Sequence, residues 1–190
     1  MKFCIINEST DLSKLEKNLL IEWYRIYFSK LDGADELDSF LKVIETTSNE
    51  IDDKIIVVNN TNYKKAKILV DNLFNNPNEN LLLIYENNKI IGAGRIITEN
   101  SEIVRTMEIL FETNIPYKRD IWIKAIEFIE NYYKAKDFKK TYLEIPFYEG
   151  PLLYRAKDMG YIEDEVDIDI SKYSKTYILN KNLEGKKNVK

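Results

Sequence analysis

The chain contains no histidine among its 190 residues, and it contains one cysteine. The absence of histidine excludes a Ser-His or Cys-His nucleophilic pair and any zinc site with a histidine ligand. General acid or base catalysis would therefore depend on Glu, Asp, Tyr or Lys side chains. Cys4 cannot form an intramolecular disulfide and lies in the apolar run Phe3–Ile6. We expect it to be a buried structural thiol in a reducing compartment.

Long apolar runs and an excess of basic residues are also absent. No segment approaches the ~20 apolar residues of a transmembrane helix, and the apolar run after Lys2 is too short for a signal peptide. The net charge is −4, which disfavours a binder of nucleic acid or anionic membranes. Apolar residues make up 44% of the chain, including 13 Tyr and 8 Phe, which is enough for a packed core. We expect a cytoplasmic protein with no nucleic-acid, membrane or metal partner.

The first 79 residues predict a short strand followed mainly by helices. The expected elements are a strand over Lys2–Asn7, a helix from Leu12 to about Gly33, a helix from Asp35, a strand over Lys54–Val58 and a helix over Tyr63–Phe74. Thr10 or Asp11 is predicted to cap the first helix, and Gly33 to end it. The Asn-rich stretch Asn75–Asn80, which contains Pro77, is the best internal boundary.

The pattern changes after residue 80. The expected elements are strands over Leu81–Glu86, Lys89–Thr98 and Ile103–Glu112, a helix over Lys118–Tyr133, a strand over Lys140–Ile145, a short helix over Pro151–Met159 and strands over Glu165–Ile170 and Thr176–Leu179. Asn87-Asn88 suits a tight hairpin turn. In the third strand, regular alternation places Thr106, Glu108, Leu110 and Glu112 on one face.

This order of elements resembles the GNAT superfamily of N-acyltransferases. The stretch Leu153–Tyr161 is similar to the family's Leu-Tyr pattern followed by Gly-Phe or Gly-Tyr, and Lys89-Ile90-Ile91-Gly92 is similar to the start of the family's second hairpin strand. The resemblance implies an α/β (α+β) fold with a mixed, mostly antiparallel central sheet flanked by helices. Residues 80–183 would form the core, residues 1–79 a helical N-terminal elaboration of the same fold, and residues 184–190 a frayed tail.

The resemblance also implies acetyl-CoA as cosubstrate. The third strand would bind the pantetheine arm through Ile109, Leu110 and Phe111, and the start of the next helix would bind the pyrophosphate. The family's glycine-rich loop corresponds here to Lys118, Arg119, Asp120, Ile121, Trp122 and Ile123. Isoleucine occupies both glycine positions, where it resists positive φ and is expected to place bulk against the phosphate.

The resemblance further assigns candidate catalytic residues. Tyr154 corresponds to the tyrosine that protonates the departing CoA thiolate, and Glu108 or Glu112 to the carboxylate that takes the amine's proton. Glu144, on the next strand, ranks after them. The aromatic residues Trp23, Tyr24 and Tyr27 of the first helix either form core or line an acceptor pocket.

Three hypotheses follow. The first is an acyl-CoA-dependent N-acyltransferase that transfers an acetyl group to a primary amine of a small molecule or peptide. The second is a non-catalytic GNAT-like binding or regulatory module that has lost CoA binding, as the missing glycines suggest. The third is that the N-terminal helices mediate assembly of a homodimer. The acidic residues of Glu163–Asp169 are expected to be a solvated strand edge rather than a calcium site.

Overall fold

A computed structural model of the chain describes residues 1–7, 12–31, 61–73, 75–112, 115–169 and 174–183. The helix predicted from Asp35, the strand predicted at Lys54–Val58, and the capping residues Thr10, Asp11 and Gly33 lie outside the described residues. The described elements are β1 (Lys2–Ile6), α1 (Lys14–Leu31), α2 (61–72), β2 (Glu79–Glu86), β3 (Lys89–Thr98), β4 (Ile103–Phe111), α3 (Lys118–Lys134), β5 (Lys140–Pro146), α4 (Gly150–Asp158), β6 (Ile162–Asp169) and β7 (Ser174–Asn182).

The strands form one seven-stranded sheet in the order β1-β2-β3-β4-β5-β7-β6. The central pair, β4 and β5, is parallel, and the other neighbouring pairs are antiparallel. Parallel strands need a crossover connection, and α3 supplies it between β4 and β5. The predicted mixed, mostly antiparallel sheet is therefore confirmed.

The hairpin turn predicted at Asn87-Asn88 is confirmed by its backbone angles, and a glycine ends α4. Asn87 and Asn88 join β2 to β3 with φ values of 49° and 62°. Both angles are positive, as a two-residue hairpin turn of the favoured twist requires, and asparagine tolerates them. Gly160 follows α4 with φ of 89°, a conformation that a residue with a Cβ rarely adopts. The asparagines and the glycine thus fix where the chain reverses.

Helix α1 begins with a reciprocal cap that the sequence prediction missed. The Glu16 amide donates to Ser13 Oγ at 3.3 Å, and the Ser13 amide donates to Glu16 Oε2 at 2.6 Å. This Ser-x-x-Glu arrangement satisfies two amides at the helix start that have no partner within the helix. Placing the cap at Thr10 or Asp11 was therefore wrong. The signal was present in the sequence, because the two partners are three residues apart.

The sheet separates two hydrophobic cores. The first lies against α3 and α4 and contains Leu82, Ile84, Trp122, Ile126 and Leu153, among others. The second lies on the opposite face, against α1 and α2. Its larger members are Leu20, Trp23, Tyr24, Val70, Leu73, Leu81 and Leu83. Alternate residues of β2 therefore serve opposite cores, as the two-residue period of a strand requires.

A bulge interrupts β4 and corrects the predicted alternation. Arg95 of β3 pairs with Glu108, whereas the next residue, Ile96, pairs with Thr106, so Met107 is the extra residue. Opposed residues share a face, and an extra residue shifts everything beyond it to the other face. Thr106 therefore lies on the α3 side and Glu108 on the α1 side. The prediction that they share a face was wrong, since it assumed a regular strand.

Among the described residues, no helix combines the length and apolar character needed to cross a membrane.

Candidate active site

The two central strands separate halfway along their length. β4 and β5 pair from Ile103 opposite Lys140 to Thr106 opposite Leu143. Both strands then continue, to Phe111 and Pro146, without pairing with each other. The separation begins at the β4 bulge, because a bulge bends its strand and increases the local twist. The result is a gap in the middle of the sheet.

The gap opens into a cleft lined by residues from six segments. α1, β4, α3, β5, the turn that follows β5 and the start of α4 all contribute to its walls. The lining residues are Trp23, Ile26, Tyr27, Lys30, Glu108, Ile109, Leu110, Phe111, Lys118, Arg119, Trp122, Glu144, Ile145, Pro146, Tyr148, Glu149 and Leu152. Because α1 and α3 lie on opposite faces of the sheet, the cleft joins the two faces through the gap.

The free side of β4 presents backbone groups to this gap. The Glu112 amide donates to the Ile91 carbonyl of β3 at 3.0 Å. In antiparallel pairing, alternate residues bond to one neighbour and the residues between them face the other side. Leu110 therefore bonds toward β3, whereas Ile109 and Phe111 turn their N–H and C=O groups into the gap. An extended ligand could pair with them as an added strand does.

Helix α3 begins at the same cleft. Tyr117 precedes it in a left-handed conformation, with φ of 62° and ψ of 27°, and no side chain caps the helix. The amides of Asp120 and Ile121 donate to the Tyr117 carbonyl, at 3.0 and 3.1 Å. A helix start carries a partial positive charge, which favours an anion placed beside it.

Three cationic side chains reinforce this positive end of the cleft. Lys30 reaches it from α1, while Lys118 and Arg119 come from α3. Burial lowers the pKa of Lys118, and repulsion by the nearby Lys30 lowers it further, although Glu149 acts in the opposite direction. Like charges held this close favour a bound anion, since an anion would relieve their repulsion.

Glu108 lies at the opposite end of the cleft, in a buried network. Its carboxylate accepts from Tyr24 Oη at 2.7 Å and from Arg95 Nε at 3.0 Å, both at Oε1, and from Arg95 Nη2 at 3.4 Å at Oε2. The Glu108 side chain is 4% exposed. Arg95 also donates to Glu79 at 3.4 Å. Burial, then Glu108, raises the pKa of Tyr24 well above its ordinary value, so this phenol stays protonated.

Glu144 approaches the cleft from β5. Arg105 Nη1 donates to its Oε1 at 3.2 Å, and its side chain is 22% exposed. Burial raises the pKa of this carboxyl, and Glu108 raises it further, while Arg105 and Arg95 lower it. Phenols line the same region. Burial raises the pKa of Tyr27 and of Tyr148, so both hydroxyls remain protonated near neutral pH.

The fold is similar to those of several solved acetyltransferase structures. The aminoglycoside 6′-N-acetyltransferase from Enterococcus faecium superposes with a TM-score of 0.61 over 97% of this chain and 98% of that chain, at 10% identity. PaiA N-acetyltransferase from Thermoplasma acidophilum, in complex with coenzyme A, gives 0.59 over 96% and 99%, at 15% identity. A GNAT family acetyltransferase from Elizabethkingia anophelis, with acetyl-CoA bound, gives 0.53 over 61% and 82%, at 17% identity.

The chain has a GNAT-like fold. The recognition made from the order of elements is thereby confirmed, together with the α/β fold class. No protein-family profile matches the sequence, and no curated protein matches it. At these identities the structural likeness establishes the fold alone.

The GNAT-like cleft contains part of the predicted cofactor site. Ile109, Leu110, Phe111, Lys118, Arg119 and Trp122 line it, whereas Asp120, Ile121 and Ile123 are not among its lining residues. Ile121 is buried in the α3-side core, and Ile123 packs against that core. The side chains of these two isoleucines are therefore directed to the core and do not line the cleft.

The predicted catalytic residues are separated by the fold. Glu108 lines the cleft, but Glu112 lies beyond the end of β4 and binds Lys89 Nζ at 2.8 Å. Tyr154 is 70% exposed on α4 and is not among the lining residues. The helix that carries it turns Leu153 and Ala156 inward instead.

The aromatic residues of α1 divide between core and cleft. Tyr24 and Trp23 are buried in the α1-side core and Tyr27 packs against it, and Trp23 and Tyr27 also line the cleft. Sequence reasoning gave no role to the lining residues Lys30, Tyr148 and Glu149, and it ranked Glu144 last among the carboxylates. The alternation of β5 carried a signal, because Leu143 and Ile145 are apolar and Glu144 between them faces the other way.

Proposed function

We propose that this protein is an acyl-CoA-dependent N-acyltransferase that acylates a primary amine of a small molecule or peptide. The observation that carries the proposal is the separation of β4 from β5 directly beside the start of α3. It places an unpaired strand edge, a helix N-terminus and the carboxylates of Glu108 and Glu144 around a single cleft. Each of these features suits a different part of the reaction.

The side of the cleft toward α3 fits the acyl-CoA. The N–H and C=O groups of Ile109 and Phe111 match the amides of a pantetheine arm, which can extend along β4. Lys118, Arg119 and the start of α3 suit the phosphates. These cationic side chains would bind phosphate oxygens that a glycine-rich loop binds through its backbone amides.

The side toward α1 fits a cationic amine. Glu108 and Glu144 give this side a negative charge, and Trp23 and Tyr27 add aromatic faces that attract cations. The thioester supplies an activated acyl group. Backbone N–H groups of β4 are positioned to stabilise negative charge on its carbonyl oxygen while the amine attacks.

The departing thiolate needs a proton donor. Tyr154 was predicted for this role, but its exposure outside the cleft favours Tyr148, whose hydroxyl stays protonated and which lines the cleft. A phenol is protonated at neutral pH and can donate a hydrogen bond and its proton to an anion that forms beside it.

Binding of acetyl-CoA tests the proposal directly. At 100 times its Kd, acetyl-CoA should stabilise the fold by about 2.7 kcal/mol and raise Tm by roughly 5–11 °C. Arg119→Met should reduce this shift, whereas Arg155→Met, which removes an exposed arginine of α4, should leave it unchanged. No shift with millimolar acetyl-CoA would refute the proposal and favour a non-catalytic GNAT-like module.

A further inference from the structure

We propose that Glu144 of β5 is the general base that deprotonates the acceptor amine, and that Glu108 is a positioning residue. The proposal rests on the acyltransferase function proposed above. It departs from the sequence prediction, which assigned the base to β4. Glu108 and Glu144 differ in how their carboxylates are bound.

Glu108 is poorly placed to exchange protons. Both of its carboxylate oxygens accept hydrogen bonds from Arg95, and Oε1 also accepts from Tyr24. Its side chain is 4% exposed. These contacts hold the carboxylate against the Arg95 guanidinium, at 3.0 and 3.4 Å. The network instead holds Glu108 beside the β4 bulge, where the strands begin to separate.

Glu144 has a looser set of partners. Among the described residues, Arg105 is the side chain that donates to it, at 3.2 Å and at Oε1 only. Arg105 divides its guanidinium between two carboxylates, because its Nε also donates to Glu99 at 2.5 Å. The Glu144 side chain is 22% exposed at the cleft wall. It can therefore meet a substrate without breaking a closed network.

The surroundings of Glu144 raise the proton affinity of its carboxylate. Charged and titratable groups of several neighbouring elements act on it or line the same cleft. They are Tyr27 of α1, Arg95 of β3, Arg105 and Glu108 of β4, and Tyr148 and Glu149 after β5. Burial and the charge of Glu108 raise the pKa of Glu144, and the two arginines only partly oppose them. A carboxylate whose pKa moves toward neutrality is a better base at physiological pH.

The proton and electron balance of the step is simple. An oxygen of Glu144 takes one proton from the ammonium nitrogen, and the lone pair released forms a C–N bond to the thioester carbonyl carbon. The C–S bond breaks as the carbonyl re-forms, and the sulfur leaves as a thiolate. The thiolate receives a proton from Tyr148, the new amide nitrogen loses its second proton to solvent, and Tyr148 and Glu144 return to their starting states by exchanging protons with solvent.

A matched pair of variants tests the assignment. Glu144→Gln removes the proposed base, and Glu99→Gln removes the other carboxylate that binds Arg105, outside the cleft. With acetyl-CoA and either spermidine or an aminoglycoside as acceptor, thiol release is measured against pH. Glu144→Gln should lower kcat by about 10²–10⁴-fold with little change in the KM for acetyl-CoA. Glu99→Gln should retain kcat within about threefold, and Glu144→Asp should recover part of the loss.

The pH profile separates a base from a structural residue. In the wild-type protein, kcat/KM should fall as pH decreases through the raised pKa of Glu144, and Glu144→Gln should lose this dependence. Retention of most activity by Glu144→Gln, or an equal loss in Glu99→Gln, would overturn the assignment while leaving the acyltransferase function intact. Failure of the wild-type protein to bind acetyl-CoA would instead refute the function itself.

A direct titration covers the case in which acetyl-CoA binds but neither acceptor reacts. Carboxyl ¹³C NMR of the wild-type protein and of Glu144→Gln identifies the Glu144 resonance by difference. With acetyl-CoA bound, this carboxyl should titrate above the ordinary glutamate value of about 4.3. Titration at or below that value would overturn the proposal.

Discussion

The buried network around Glu108 gives a quantitative test of the structure. Replacing Arg95 by Met keeps most of the side-chain stem but removes the cation that contacts both oxygens of the Glu108 carboxylate. Removing one partner of a buried pair costs about 3–5 kcal/mol, because the remaining charge stays buried without compensation. Arg95 is itself only 22% exposed, so solvent screening reduces this cost little. For a domain of this length, we expect Tm to fall by roughly 6–20 °C.

Replacing the carboxylate instead of the arginine should lower the stability less. In Glu108→Gln, Arg95 keeps Glu79 as a partner at 3.4 Å, and the Gln amide can still accept from Tyr24. We expect a loss of about 1–3 kcal/mol, the range for losing hydrogen bonds to charged groups. The double variant Arg95→Met/Glu108→Gln should be more stable than the sum of the two losses predicts, since it leaves no buried charge uncompensated.

Urea unfolding of the four proteins in this cycle measures the coupling. The slope of the unfolding free energy against urea should stay constant, and the midpoint should move. A loss below about 1 kcal/mol in Arg95→Met, or strictly additive losses in the double variant, would show that Arg95 and Glu108 do not form the buried pair described here.

Three further outcomes are expected. Gly92→Ala should lower the free energy of unfolding by about 1–3 kcal/mol and weaken acetyl-CoA binding, because the added Cβ would lie 2.8 Å from a β4 side chain and 2.9 Å from a β4 carbonyl. In the control Gly150→Ala, the added Cβ would have no atom within 4 Å, so urea unfolding should show no change in stability. Lys118→Met should weaken acetyl-CoA binding by calorimetry, by about 10–100-fold near pH 7. Since the pKa of Lys118 is lowered, its ammonium is lost at a lower pH than in an ordinary lysine, so wild-type affinity should fall as pH rises and the variant should lose that dependence. Tyr148→Phe should reduce turnover in the thiol-release assay, whereas Tyr154→Phe should match the wild type; the opposite result would restore the sequence prediction.

Local signals predicted most of the described elements. The range Lys89–Thr98 matched its strand, and α3 began at the predicted Lys118. Both segments have strong periodicity and clear boundaries, and such patterns reflect interactions within a few residues. The cap of α1 was misplaced by two or three residues, because several capping residue types are adjacent there and only Ser13 has its partner three residues later.

The candidate site was predicted less completely. The predicted strand and helix both line the cleft, but Ile121 is buried in the core, Ile123 packs against that core, and Tyr154 lies on the surface. An analogy with a family motif assigns a residue by its position in the chain. Helix rotation and packing decide which way that residue faces, and neither is visible in a short motif.

The sequence by itself determined the order of elements, the hairpin at Asn87-Asn88 and the apolar faces of the helices, because these depend on near neighbours in the chain. Only the tertiary structure decided where β4 bulges and where β5 leaves it. The positions of the bulge and of the strand separation depend on pairing between residues far apart in the sequence. It brings Tyr24, Arg95 and Glu108 into one buried network and places Glu144 across the gap. The chemistry proposed for this protein arises from that gap.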